Sequence, residues 1–311
     1  MAFFSIIIPS YNRAHSIKKA IESILNQTFQ DFEILVIDDA SKDNTEEVVK
    51  SIEDKRILYF KNEINQERCI SRNIGIEKSC GEYICFLDSD DYHLPEHLQN
   101  IYCEIQKFKE PKGFFFTNAW NETADGVRTE RNCPEFINFN PFTYFLKYTV
   151  NPQRWAVHKS VLKYNLFDSE IIICEDMDVS LRIVAAGIPV FHIKERSTVY
   201  VAALDSFTVS DQNKAEKELY YLNKIFNRKE LIGKLYKREK NRLLSMCYYH
   251  LALKMIQKNN KISFYNNAAK SFFLFPNGYN GNTNKILIVN AIYFIPFLGD
   301  IVKKIIRVIK K

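Results

Sequence analysis

Over the first 120 residues, short apolar runs alternate with stretches in which apolar residues recur every three or four positions. The runs Phe3–Ile8, Glu33–Ile37, Ile57–Phe60, Tyr83–Leu87 and Gly113–Phe116 have the length and content of buried strands. Between them, Ile17, Ala20, Ile21, Ile24 and Leu25 fall on one helical face, as do Val48, Val49 and Ile52. Asp43 or Asn44 is placed to cap that second helix, with Glu46 and Glu47 favourable in its first turn. A further helix over Asn73–Lys78 stops before Cys80-Gly81, and Pro95 opens another that runs toward Phe108. This alternation predicts an α/β fold, a mainly parallel central sheet flanked by helices. In such a sheet, ligands bind beyond the carboxyl ends of the strands.

Later segments read differently. Residues 121–165 are less regular, with turn signals at Ala124-Asp125-Gly126 and Asn140-Pro141. From Asp211 to about Ile262 the pattern is helical and free of proline, and a second helix is expected over Ser263–Phe273. Three parts follow: a catalytic domain over 1–210, a C-terminal helical extension over 211–283 and a tail over 284–311.

Charge sharpens this division. Residues 211–311 hold 20 Lys and Arg against six Asp and Glu, a balance of +14, whereas the first 210 residues carry −8 of the whole chain's +6. In the tail, Ile286–Gly299 is apolar but only 14 residues long, short of the roughly 20 that cross a bilayer. Ile301–Lys311 then alternates apolar and basic pairs at helical spacing, as an amphipathic helix lying in an anionic membrane surface would. The bland alternative is a terminal helix packed on its own domain with solvated lysines. Seven scattered cysteines without a CxxC pair argue against a disulfide framework or zinc site and for a reducing compartment. The N-terminus has no basic region or cleavage site of a signal peptide. The expected location is cytoplasmic, peripheral on the inner face of the membrane.

The strongest chemical signal is Ile84-Cys-Phe-Leu-Asp-Ser-Asp-Asp91, an apolar run ending in Asp88, Asp90 and Asp91. Carboxylates gathered at a strand tip repel one another and resist desolvation unless a cation neutralises them. Oxygen ligands at such spacing suit Mg²⁺ or Mn²⁺, which in turn binds a diphosphate. Neither GxGxxG nor GxxxxGK[ST] occurs, so no glycine loop of those kinds cradles phosphate. Other clusters fall at strand ends or helix starts: Pro9-Ser10-Tyr11-Asn12, Asp38-Asp39 and Ser71-Arg72-Asn73. Tyr11 offers a flat face to a base, Asp39 an acceptor for a base N–H or ribose hydroxyl, and Arg72 a fork for phosphate or carboxylate. Singly, Asp38, Asp39 and Ser41 pass as turn residues and Arg72 as a balance for nearby acids.

Taken in order, Ser5–Asn12, Gln27–Asp39, Ser71–Gly75 and Gly81–Asp91 resemble the signature of family 2 glycosyltransferases, over about residues 3–200. The resemblance implies a GT-A nucleotide-sugar-binding fold, an inverting transfer, a UDP-sugar donor and Mn²⁺ or Mg²⁺. It assigns Pro9, Tyr11 and Asp39 to the nucleoside, Arg72 to the neighbourhood of the diphosphate, Asp88 to the ribose or sugar and Asp90 to the metal. Glu175-Asp176 matches the family's acidic pair, which makes Asp176 the catalytic base; it is also placed to be a helix N-cap.

Two departures stand out. Many relatives carry Tyr-Arg or Tyr-His where this chain has Tyr200-Val201, which leaves His192 as a substitute contact to phosphate or metal. The Gln-x-x-Arg-Trp motif of processive synthases is absent; Arg154-Trp155 lies elsewhere. Transfer of a single sugar to a glycan or lipid-linked acceptor, in surface polysaccharide synthesis, is therefore expected, with Trp120 or Trp155 as a sugar platform or a core residue. The alternatives are an Asp-dependent phosphatase or nucleotidyltransferase using Asp88 and Asp90, and a non-catalytic polyanion binder using the basic half, although nucleic acid is not an expected partner.

Overall fold

The structure, a computed structural model, describes residues 2–108, 112–131, 133–148, 150–202 and 213–275. The predicted membrane tail, 284–311, lies outside the described residues. The chain forms two compact units, 1–210 and 211–311.

The first unit opens with β1 (Phe4–Ser10), α1 (Ile17–Leu25), β2 (Phe32–Asp38), α2 (Thr45–Lys50), β3 (Ile57–Lys61), α3 (Glu67–Lys78) and β4 (Tyr83–Phe86). Next come β5 (Tyr92–His93), α4 (His97–Phe108), β6 (Phe114–Glu122), β7 (Arg128–Arg131) and α5 (Pro141–Lys147). The unit ends with β8 (Trp155–His158), α6 (Lys159–Tyr164), α7 (Glu175–Ala185) and β9 (Val190–Val201). Their order in the sheet is β3-β2-β1-β4-β8-β6-β9-β5, with β7 paired to β6. Strands β1 to β4 run parallel, as alternation predicts, and β6 is parallel to β9. Strand β8 runs against both β4 and β6, and β5 against β9, so the sheet is mixed in its second half.

The apolar runs are buried for the reason their composition suggests: β1, β2 and β4 are covered on both faces. Ile17, Ala20, Ile21 and Ile24 of α1 join Ile6, Ile8, Val36 and Leu98 in one core. Helix α3 begins at Glu67, six residues earlier than the sequence pattern predicts, because its first turns are polar and face the cleft described below. Gly75 sets its depth, since a Cβ there would lie 2.4 Å from the Ile7 side chain on β1. One turn earlier, Arg72 is thereby brought to the strand ends.

The second unit holds α8 (Lys214–Phe226), α9 (Lys237–Gln257) and α10 (Lys261–Leu274). The long helix expected from Asp211 is broken after Phe226, in a segment where Gly233 adopts φ +76°. Ser245 and Ser271 exchange hydrogen bonds of 2.9 Å across α9 and α10, beside a small core of Tyr249, Ala252 and Phe264. Among the described residues no helix is long and apolar enough to cross a membrane.

Candidate active site

At the carboxyl ends of β1, β2 and β4 the chain turns away in different directions, leaving a cleft of about 620 Å³. Pro9, Tyr11, Asp39, Asp88, Asp90 and Asp91 all line it, together with Arg13, Arg68, Arg131, Asn151, Gln153 and Tyr200. Four clusters distant in sequence thus meet in one hollow.

The loops after β1 and β2 interlock at one end of the cleft. Ser10 accepts from the Asp39 N–H at 2.8 Å, and Asn12 receives the Lys42 N–H at 2.8 Å while its own N–H reaches Ser41 Oγ at 2.9 Å. Asp38 is fully buried and acts locally, accepting from the Ser41 N–H at 2.8 Å and from the Tyr59 hydroxyl. Asp39 faces the cleft and already accepts from the Asn62 amide at 2.8 Å and the Gln66 N–H at 3.0 Å. Tyr11 stands exposed at the rim. Asn12, Ala40, Glu67 and Cys174 all hold positive φ, between +52° and +70°, beside residues of this site. Strained non-glycine backbone of this kind persists where surrounding contacts hold it.

The acidic strand tip is divided by environment. Asp88 accepts from the Arg72 guanidinium at 3.0 Å and from the Gln153 amide. Asp90 stays partly exposed, 3.8 Å from Arg13. Asp91 is buried, accepting from the Val201 N–H at 2.9 Å and from Gln153 at 3.1 Å. Burial, and then the charges of Asp88 and Asp90, push its carboxyl well above the usual range.

Arg72 is not among the residues lining the cleft, although its partner Asp88 is. Its guanidinium is 2% exposed and spans Asp88 and Glu175 at 3.0 Å each, over the face of Phe167. Burial opposes this charge, but the two carboxylates outweigh it and raise the guanidinium pKa further. Glu175 also faces Arg68 at 3.6 Å. Beside it, Asp176 lies in the first turn of α7 rather than at its N-cap, which is Cys174, and its Oδ1 accepts from the Met177 N–H at 2.8 Å. Burial, reinforced by the charge of Glu175, lifts the Asp176 carboxyl to about 7. Asp176 is not among the residues lining the cleft, and Arg72 joins its neighbour Glu175 to Asp88.

Other expectations need correction. His192 lies against Asn118, the Phe136 N–H and the Phe116 ring, away from the cleft. Trp155 is fully buried, stacked with Phe167, and so is a core residue. The residue missed outright is Gln153. Its buried Nε2 donates to both Asp88 and Asp91, and its carbonyl accepts from Thr198 at 3.1 Å and faces His93 Nε2 at 2.9 Å. Asn151-Pro152 before it directs a short turn into β8, which was the available signal.

The residues suit a cation of one kind only. Among the described residues no three His, Cys, Asp or Glu side chains converge on a common point. An all-protein cage is therefore missing, but Mg²⁺ and Mn²⁺ commonly rest on one or two carboxylates and the substrate's phosphates. Asp90, all-oxygen and open to the cleft, fits that arrangement.

Comparison with known proteins bears on the sequence and the fold. The model of "Glycosyl transferase family 2" matches residues 5–155. An uncharacterized glycosyltransferase of Rickettsia bellii is 41% identical over 141 residues, 45% of this chain and 19% of that protein. The Escherichia coli protein WfaP, named UDP-Glc:alpha-D-GlcNAc-diphosphoundecaprenol beta-1,3-glucosyltransferase, is 34% identical over 45% of this chain and 55% of its own length. This chain thus spans only a fifth to about half of these relatives. Residues 1–349 of S. aureus TarS in complex with UDP-GlcNAc share the fold, with TM-score 0.65 and 19% identity over 88% of this chain and 81% of that one.

Proposed function

This chain belongs to glycosyl transferase family 2, and from that premise we propose that it moves one sugar from a UDP-sugar to a lipid-linked or glycan acceptor, with inversion at the anomeric carbon. One observation carries the reading: the Arg72 bridge that joins the acidic strand tip to the Glu175-Asp176 pair. It ties the two halves that a direct displacement needs, a place for the leaving diphosphate and a base for the incoming hydroxyl.

Pro9, Tyr11 and Asp39 receive the nucleoside at the β1–β2 end. Asp39 offers a carboxylate fixed by Asn62 and Gln66, so its orientation is set before ligand arrives. Asp90 would hold Mn²⁺ or Mg²⁺, which would supply charge stabilisation to the departing diphosphate. Asp88, held by Arg72 and Gln153, is directed toward the ribose or sugar. Asp176 takes the acceptor's proton at Oδ2, the oxygen not engaged by the Met177 N–H. A carboxyl lifted to about 7 is a stronger base than an ordinary aspartate and is still ionised in part near neutrality. With one base and no enzyme nucleophile, attack proceeds in a single step and inverts the centre.

The relatives named for diphosphoundecaprenol acceptors support a lipid-linked acceptor, and the basic sequence of 284–311 supports docking on an anionic membrane. The test is Asp176→Asn assayed with a panel of UDP-sugars and Mn²⁺. Transfer should fall about 10²- to 10⁴-fold while UDP affinity holds. Undiminished transfer overturns the assignment of the base, and no transfer by the wild type with any donor overturns the function.

A further inference from the structure

Three guanidinium groups line the cleft, those of Arg13, Arg68 and Arg131. Arg13 faces Asp90 at 3.8 Å and Arg68 faces Glu175 at 3.6 Å. Arg131 is different. Among the described residues it meets no carboxylate; Nη2 donates to Asn151 Oδ1 at 3.2 Å, and its guanidinium carbon lies 4.4 Å from the centre of the Tyr200 ring. Tyr200 in turn donates its hydroxyl to the same Asn151 oxygen at 3.4 Å. An aromatic face, an amide oxygen and a strand thus hold the guanidinium in place, and its remaining N–H edges are left for something else.

Placement narrows what that is. Arg131 comes from β7, paired with Ala119 on β6, while Tyr200 comes from β9. Both line the cleft, on strands that β4 and β8 separate from β1 and β2, whose loops carry Tyr11 and Asp39. Against the three cations stand Asp39, Glu67, Asp88, Asp90 and Asp91, so the cleft as a whole is acidic. An arginine with no carboxylate partner among the described residues, held in place over Tyr200 with donors available, is a fork matched to a phosphate.

Resting on the function proposed above, we propose that Arg131, positioned by Tyr200 and Asn151, is a phosphate-binding residue of the cleft. Two substrates bring phosphate there: the nucleotide-sugar donor and a diphosphate-linked acceptor. Arg131→Gln, with Arg131→Lys beside it, separates them by calorimetry with three probes in the presence of Mn²⁺: UDP, uridine and octyl diphosphate, the last added to UDP-saturated enzyme. Charge-assisted hydrogen bonds of this kind are worth about 10- to 100-fold in affinity. A donor phosphate site predicts that loss for UDP in Arg131→Gln, with uridine unchanged and Arg131→Lys in between. An acceptor site predicts the loss for octyl diphosphate, with UDP unchanged. Equal weakening of UDP and uridine reveals a structural role and overturns the inference, as does wild-type affinity for all three. In both cases sugar transfer by the wild type leaves the proposed function standing. A wild type that neither binds UDP nor transfers sugar overturns both.

Discussion

Arg72 is the residue on which the two halves of the site depend, and removing its charge has a cost that can be worked from its contacts. Arg72→Met keeps most of the stem and deletes the guanidinium. Two ion pairs of 3.0 Å disappear, leaving Glu175 with 10% and Asp88 with 30% of their side chains exposed. Breaking a buried pair by removing one partner costs about 3–5 kcal/mol. Here Glu175 keeps Arg68 at 3.6 Å and Asp88 keeps Gln153, while the loss of the unpartnered Arg72 Nε removes a small penalty. The lower end, about 3 kcal/mol, is therefore expected. Both tryptophans, Trp120 and Trp155, lie in the 1–210 unit, so fluorescence during urea denaturation reports on that unit alone. With a slope of about 2 kcal/mol per molar urea, the midpoint should fall by about 1.5 M. Glu175→Gln leaves Arg72 its bond to Asp88 and should cost about 1–2 kcal/mol, and the double variant should show coupling of about 1–3 kcal/mol. Turnover should fall with stability in Arg72→Met, since Asp88 and the Asp176 turn lose their common anchor. A midpoint shift below about 0.3 M, or wild-type turnover in a folded variant, would refute the role given to this bridge.

As the proposed base, Asp176 would link catalysis to stability with a definite sign. Its carboxyl rises from the model-peptide value of 3.8 to about 7, so the folded state binds the extra proton and stability falls as pH rises through that range. Asp176→Asn should therefore be more stable than wild type at pH 8, by up to a few kcal/mol, with the gap closing as pH drops below 7; urea midpoints at pH 5.5 and 8 decide it, and parallel profiles sink the claim. In the wild type, kcat/KM should rise through about pH 7 as the base ionises. Gln153→Leu takes one of two partners from buried Asp91 and one from Asp88, so a loss of about 1.5–3 kcal/mol is expected. Mn²⁺-dependent UDP binding should weaken with it, and unchanged affinity by calorimetry counts against Gln153 as a support of the acidic tip. Deleting 284–311 should abolish sedimentation with vesicles containing anionic lipid and spare UDP binding; co-sedimentation equal to wild type removes the tail as an anchor.

What could be read from the sequence was whatever a local pattern encodes. Buried parallel strands announce themselves as short apolar runs, and the carboxylates at their tips are conspicuous because such runs seldom end in three acids. Pro9 lies near the end of β1, Tyr11 and Asp39 follow β1 and β2 directly, and Asp88 and Asp90 lie within a few residues of β4, so a correct strand assignment carries them into one cleft. The second half of the sheet is encoded differently. Strand β8 is four residues long and antiparallel, and β6 continues to Glu122 through an irregular register near Asn118. Strand β8 and the part of β6 beyond Phe116 lack a pattern of their own and rest on neighbours that supply their hydrogen bonds.

That difference explains which functional assignments shifted. Arg72 was singled out for its charge, and charge alone does not say whether a guanidinium meets phosphate or carboxylate. The answer lies in Gly75, which lets α3 settle onto β1 so deeply that Arg72 is enclosed before any ligand arrives. Arg131 shows the converse: its strand is exposed and polar, with nothing in the sequence to mark it, yet pairing with β6 sets it over Tyr200. Gln153 joins them from the short turn before β8, linking carboxylates more than 60 residues away. The residues proposed for the nucleoside thus lie in contiguous motifs, while Gln153 and Arg131 reach the cleft through long-range pairings. Substitutions in β7, in Asn151–Gln153 or at Tyr200 should consequently alter acceptor use and metal dependence before they alter nucleoside affinity, whereas changes at Tyr11 or Asp39 should do the reverse.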